Sequence, residues 1–145
     1  MRIMNEEFNG IERRLERLKG CLRKLEPLKT KSRDEFEADP YLKDIVERNL
    51  EVAAQACIDI ANRMITVEGV EKPSDAYGAI EMLGKAELIP GNLAHRLAPI
   101  AGFRNILVYE YLEIDWKQVL DNLQHLADLR KFAEHVKKWM ARRPV

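Results

Sequence analysis

Two tyrosines and an arginine crowd one short apolar run, Gly102-Phe103-Arg104-Asn105-Ile106-Leu107-Val108-Tyr109-Glu110-Tyr111-Leu112-Glu113-Ile114-Asp115. A guanidinium grips phosphate or carboxylate through paired N–H donors, and a phenol donates a hydrogen bond, stacks on a base or, when activated, acts as a nucleophile. In one regular helix Arg104 and Tyr111 are nearly eclipsed, about 10 Å apart along the axis. Tyr109 falls roughly 140° round from Arg104 on the same geometry. Those two converge only if the helix end unwinds or a second subunit contributes.

Other polar residues are weaker candidates. Arg48 and Asp59 sit near an otherwise apolar helical stripe, where each either braces the site across the fold or belongs to an ordinary ion pair. His95, His125 and His135 have neither the spacing of an HExxH pair nor nearby cysteines, so no metal site is expected. The chain has no glycine-rich phosphate loop, nucleophile elbow or dinucleotide fingerprint, and nucleotide-driven catalysis by this chain alone has no support. Arg13, Arg14, Arg17, Lys19, Arg23, Lys24, Lys29, Lys31 and Arg33 make the amino-terminal third the most basic part. With Glu12, Glu16 and Glu26 interspersed, this stretch reads either as a solvated helix face or as a track for an RNA backbone.

The elements that must position these residues are all helical. Phe8, Ile11, Leu15, Leu18, Leu22 and Leu25 recur in steps of three and four, one stripe of a helix that Pro27 ends. Ser32 and Glu35 have capping-box spacing and predict a short helical turn. Asp39 before Pro40 starts a second long helix, whose stripe runs from Leu42 through Met64 to about Val67, with an end near Gly69. Pro73 and Ser74 open a third helix reaching about Ala86. Asn92 caps a fourth, kinked at Pro99, which carries the Arg104 run. Asp115 and Gln118 match a capping box that starts a fifth, with Trp116, Val119, Leu123, Leu126, Ala133, Val136 and Met140 as its stripe and Arg142 and Arg143 near its end. No segment alternates with period two long enough to suggest a strand. The expected fold is all-α, an antiparallel up-and-down bundle of about five helices.

The 145 residues, 46% hydrophobic, are enough for one core, so residues 1–145 are expected to form a single domain. Twenty-four basic and 24 acidic residues cancel, so net charge draws the molecule to neither nucleic acid nor an acidic membrane, and RNA binding requires a local patch. The amino terminus lacks a signal-peptide layout and no apolar stretch is long enough to span a bilayer, so a cytoplasmic protein is expected. Cys21 and Cys57 read as isolated, inert thiols rather than a disulfide.

The Arg104–Asp115 run resembles the signature of HEPN proteins, specifically the HepT branch: Arg, usually Asn, three residues, His, one residue, Tyr, then an Ile-Asp helix start. Arg48-Asn49-Leu50-Glu51 with Ala56-Cys57-Ile58-Asp59-Ile60-Ala61 resembles that branch's second helix. Pro73 to Leu83 resembles the third and Asp115 to Phe132 the closing one, so the resemblance covers about Tyr41 to Phe132. It implies a dimeric helical bundle whose facing signature helices form a cleft that binds and cleaves RNA without a metal or other cofactor. The implied partners are RNA, a second copy in a homodimer, and a minimal nucleotidyltransferase antitoxin of the MntA type; no membrane is implied.

By that resemblance Arg104, followed by Asn105, stabilises charge developing on phosphate. Tyr111 holds the position at which the antitoxin transfers AMP, a modification that sets negative charge against Arg104. The departure is Tyr109, which stands where the family has its catalytic histidine. A free tyrosine titrates near 10, so a phenol is a poor general base at neutral pH, and bringing it to neutrality requires a shift of about three units, some 4 kcal/mol. Two functions therefore follow: a toxin-like ribonuclease weakened at this position, or a non-catalytic HEPN module that presents substrate or nucleotide to a nucleotidyltransferase.

Overall fold

The computed structural model describes residues 2–110, 112 and 114–143. Its first helix, α1 (Arg2–Leu25), buries the whole predicted stripe from Phe8 to Leu25 together with Cys21. Pro27 ends it in a short 3-10 turn, Glu26–Leu28. The Ser32–Glu35 capping box is complete, with both reciprocal bonds at 3.2 Å, and starts α2 (Arg33–Ala38). This single turn and a half serves to place Phe36, which is fully buried and stacks on Trp116 at 5.6 Å between ring centroids.

The central element is α3 (Pro40–Glu68), which packs against α1, α2, α4, α6 and α7. Asp39 caps it by accepting from the Tyr41 amide at 3.0 Å. It ends at Gly69, whose φ of 68° is a left-handed conformation that costs glycine little and most other residues more. Helices α1 and α3 run antiparallel: Glu7 pairs with Arg63 and Arg14 with Asp59, so moving forward along one means moving back along the other.

Four boundaries differ from the sequence expectation. The third helix, α4 (Ala76–Lys85), is capped by Asp75, whose carboxylate accepts from the Gly78 amide at 2.7 Å, and so starts after Pro73 and Ser74. The expected kinked fourth helix is two helices, α5 (Gly91–Leu97) and α6 (Ile100–Tyr109). Pro99 offers no amide and its ring crowds the preceding turn, which here breaks the helix outright. Asn92 lies inside α5 and accepts only from its neighbour Leu93, so it is not the cap. The expected fifth helix is also two, α7 (Trp116–Leu123) and α8 (Leu126–Ala141). Between them the chain tightens into i→i+3 bonds at Gln124 and His125, and the Gln124 side-chain Nε2 donates to the Lys29 carbonyl at 2.8 Å. Asp115 caps α7 as expected through the Lys117 amide, without the return bond from Gln118 among the described residues.

One apolar core draws on α1 through α8. Gly84 permits the close crossing of α4 and α5: a Cβ there would lie 2.8 Å from the Ala94 Cβ. Phe8 meets Trp139 edge-on at 5.5 Å and Glu26 pairs with Arg130, which makes α8 antiparallel to α1. Glu68, at the end of α3, accepts from the Trp139 indole at 2.8 Å and pairs with Arg143, fixing the far end of α8. Cys21 and Cys57 are free and buried, and burial raises both thiols above their ordinary range. The architecture is the all-α bundle expected, with two of its five rods each divided in two.

Candidate functional site

Helix α6 buries Ile100, Ala101, Phe103 and Leu107 against the core, and Arg104 sits at the margin of that stripe. Its position turns the guanidinium inward toward α3. There Arg104 Nη1 donates to Gln55 Oε1 at 2.9 Å. The amide of Gln55 in turn donates to Asp59 Oδ1 at 2.9 Å, one helical turn further along α3. Asp59 Oδ2 accepts from Arg14 Nε at 3.3 Å, and Arg14 Nη1 donates to the Gly10 carbonyl at 3.1 Å. The result is a polar relay from α6 through α3 to α1, laid along the edge of an apolar core.

Arg104 Nε is buried and has no hydrogen-bond partner among the described residues, which do not include Tyr111. A buried unsatisfied donor costs about 1–3 kcal/mol. Gln55 thus holds the guanidinium from the α3 side.

The sequence-derived candidates separate. Asp59 lies two hydrogen bonds from Arg104: it pairs with Arg14 and accepts from the Gln55 side chain that holds Arg104. Arg48 takes no part in the relay, since its Nη1 bonds Glu51 at 3.0 Å and its side chain is 66% exposed. Asn105 points to solvent. Tyr109 ends α6 with 72% of its surface exposed, on a different face from Arg104, so one chain does not bring the two together. Tyr111 lies outside the described residues. Gln55 was missed by sequence reasoning: its only signal is an amide inside the small apolar run Ala53-Ala54-Gln55-Ala56, one turn before Asp59.

A recess of about 280 Å³ lies at the α5–α6 break, but its lining is mainly Leu50, Leu97, Pro99, Ile100 and Leu129. Its Arg96 guanidinium is already taken up by Asp128 at 3.2 Å. The chemistry favours Arg104. His95 contacts Glu81 at 3.2 Å, and among the described residues no three His, Cys, Asp or Glu side chains gather as a metal site. No helix among them is long and apolar enough to cross a membrane.

Comparison with known proteins places this geometry in context. A family model described as HepT-like ribonuclease matches residues 11–136. The mRNA nuclease HepT of Shewanella oneidensis is 30% identical over 121 residues, covering 83% of this chain and 90% of the relative. The tRNA nuclease HepT of Aphanizomenon flos-aquae is 35% identical over 109 residues, covering 75% of this chain and 74% of the relative. Among solved structures, the tri-AMPylated Shewanella oneidensis HEPN toxin in complex with its MNT antitoxin superposes with a TM-score of 0.78 at 28% identity, covering 89% of this chain and 97% of that one. The chain belongs to the HepT-like ribonuclease family.

Proposed function

We propose that this chain is a HepT-like toxin: a cytoplasmic, metal-independent RNA-binding and RNA-cleaving homodimer, held in check by a nucleotidyltransferase antitoxin. The observation that carries the reading is Arg104, held by Gln55 at the position of the family's signature arginine, with an Nε that has no partner among the described residues. Relatives named as mRNA and tRNA nucleases support RNA as the substrate. A structural neighbour bound to an MNT antitoxin supports the partner class, and its AMPylation supports Tyr111 as the acceptor of AMP on this chain.

In the reaction the ribose 2′-oxygen bonds to the adjacent phosphorus, the P–O5′ bond breaks, one proton leaves the 2′-hydroxyl and one reaches the departing oxygen. Arg104 stabilises the charge developing on the phosphate oxygens. A phenol at neutral pH is a better hydrogen-bond donor than proton acceptor, so Tyr109 serves the leaving oxygen and the 2′-hydroxyl proton passes to water. This predicts a slow nuclease.

Dimerisation follows from the same helix. Arg104 is turned inward and Tyr109 outward, while Val108, Tyr109 and Leu112 expose apolar surface at the end of α6. A second copy facing this end covers that surface and sets its own Tyr109 toward Arg104 of the first. The single core supports reading residues 1–145 as one domain.

A second reading, a non-catalytic module that presents substrate or nucleotide to the transferase, is favoured by one feature, the exposed phenol at the histidine position. Growth assays separate the two. A toxin arrests growth when expressed alone and is relieved by co-expression of the transferase encoded beside it. Unimpaired growth at high expression of the folded chain overturns the toxin reading in favour of the module.

A further inference from the structure

In the sequence, the arginines of α1 are diluted by Glu12, Glu16 and Glu26. The fold undoes that mixing. Glu12 and Glu16 line a recess with Leu15, Lys137 and Met140 on the side facing α8, and Glu26 is engaged by Lys29 and Arg130. On the other side of α1 a groove of about 420 Å³ runs against α3, lined by Arg13, Arg14, Arg17 and Arg48 with Glu51, Gln55 and Asp59. Four guanidiniums face two carboxylates there, in a chain whose net charge is zero.

Within the groove the cations divide. Asp59 takes Arg14 and Glu51 takes Arg48. Arg13 and Arg17 are exposed, and among the described residues neither has a carboxylate partner. They lie one turn apart on α1, about 6 Å along the axis. Arg17 and Arg48 both reach the field of the Cys21 thiol, as does Lys24, so positive charge continues along the α1–α3 seam. The groove's lining includes Gln55, the residue that holds Arg104.

We propose that the α1–α3 groove is a phosphate track in which Arg13 and Arg17 bind the backbone of single-stranded RNA and lead it, past Gln55, to Arg104. The inference rests on RNA as ligand in the function proposed above, and it adds where the strand runs. Contacts of this kind are to phosphate and carry no base preference. A single strand suits this groove, because successive phosphates can follow the helix without a rigid duplex being accommodated.

The test is binding of a short fluorescein-labelled 2′-O-methyl oligoribonucleotide of mixed sequence, which resists 2′-hydroxyl cleavage, measured by anisotropy between about 50 and 200 mM salt. An R13A/R17A double variant should lower the slope of log affinity against log salt by about 1.4, two phosphates at about 0.7 each. The R13K/R17K variant should retain the slope. A K131A/K138A variant on the outer face of α8 removes the same charge away from the groove and should leave it unchanged. Circular dichroism melts check that each variant is folded. An unchanged slope in R13A/R17A, an equal fall in both alanine pairs, or absence of RNA binding by the unaltered chain overturns the track. So does loss of an acidic protein partner with the RNA slope intact. Cleavage of unmodified RNA is read separately. A slope change without any cleavage, even in Tyr109→His, leaves the track standing and removes the nuclease reading.

Discussion

Replacing Gln55 by leucine removes the acceptor at 2.9 Å from Arg104 Nη1 and the donor at 2.9 Å from Asp59, while keeping a good helix former of similar size in α3. A hydrogen bond to a charged group contributes about 1.5–3 kcal/mol, and because Arg104 is only half-buried, with water able to compensate in part, the lower end applies. About 1.4 kcal/mol corresponds to a tenfold change in affinity. Because the bond is already made without RNA, only the lost orientation of Arg104 reaches binding, and Gln55→Leu is expected to weaken it severalfold, with about tenfold as the ceiling. Its salt slope should not change, because every phosphate-binding cation remains. Arg104→Ala, by contrast, removes a cation and should lower the slope by about 0.7 for one phosphate on a single strand. Anisotropy titrations of both variants across a salt series distinguish the two. Gln55→Glu serves as a further check: it restores an acceptor but neutralises the guanidinium, and should bind RNA no better than Gln55→Leu. Wild-type affinity in a folded Gln55→Leu protein refutes the idea that Gln55 positions Arg104.

Three further outcomes are expected. Light scattering should give about twice the 16.8 kDa chain mass, and a stable monomer at micromolar concentration counts against a shared cleft. Incubation with an MntA-type nucleotidyltransferase, ATP and magnesium should place AMP on Tyr111, seen by peptide mass spectrometry; label that persists in Tyr111→Phe and disappears in Tyr109→Phe reverses that assignment. Stability should decline on acidification, because Ser32 hydrogen bonds hold the Glu35 carboxyl below its ordinary value and the Lys29 bond does the same for Glu26. A carboxyl depressed in the folded state contributes stability above its unfolded value near 4.5 and loses it as pH falls through the lower folded value. Thermal melts between about pH 6 and 3 should show a smaller acid loss in Glu35→Ala.

Much of the fold was legible because local signals and burial agree. The α1 stripe, the Ser32 box, the Asp39-Pro40 start and the Gly69 stop each act within a few residues and reappear in place. The misread boundaries are competitions between neighbours of the same kind. Asp75 out-competes Ser74 as a cap because its carboxylate reaches the Gly78 amide. Whether Pro99 kinks or breaks a helix depends on what packs on either side. The division at Gln124 is stabilised by the Lys29 carbonyl, 95 residues away, and has no local signal.

The site was legible to the extent that it is a motif. Arg104 could be named from its spacing to Tyr109 and Tyr111, and helical geometry already placed Tyr109 on another face. Gln55 could not, because its role exists only once α3 and α6 are packed side by side. The basic groove was hidden for a related reason. Acidic and basic residues alternate along α1 in sequence, and only its packing against α8 and α3 shows that they line different recesses.

The most direct measurement is cleavage of single-stranded RNA in EDTA by the unaltered chain, by Tyr109→His, and by the Arg104→Ala/Tyr109→His double variant. Imidazole titrates near neutrality, and a well-matched acid or base contributes about 10²–10⁴-fold. Tyr109→His should therefore cleave at least about a hundredfold faster than the unaltered chain, and Arg104→Ala should abolish that gain. Equal rates in all three proteins, or cleavage by Tyr109→His that is indifferent to Arg104, would contradict an RNA-cleaving site built on Arg104.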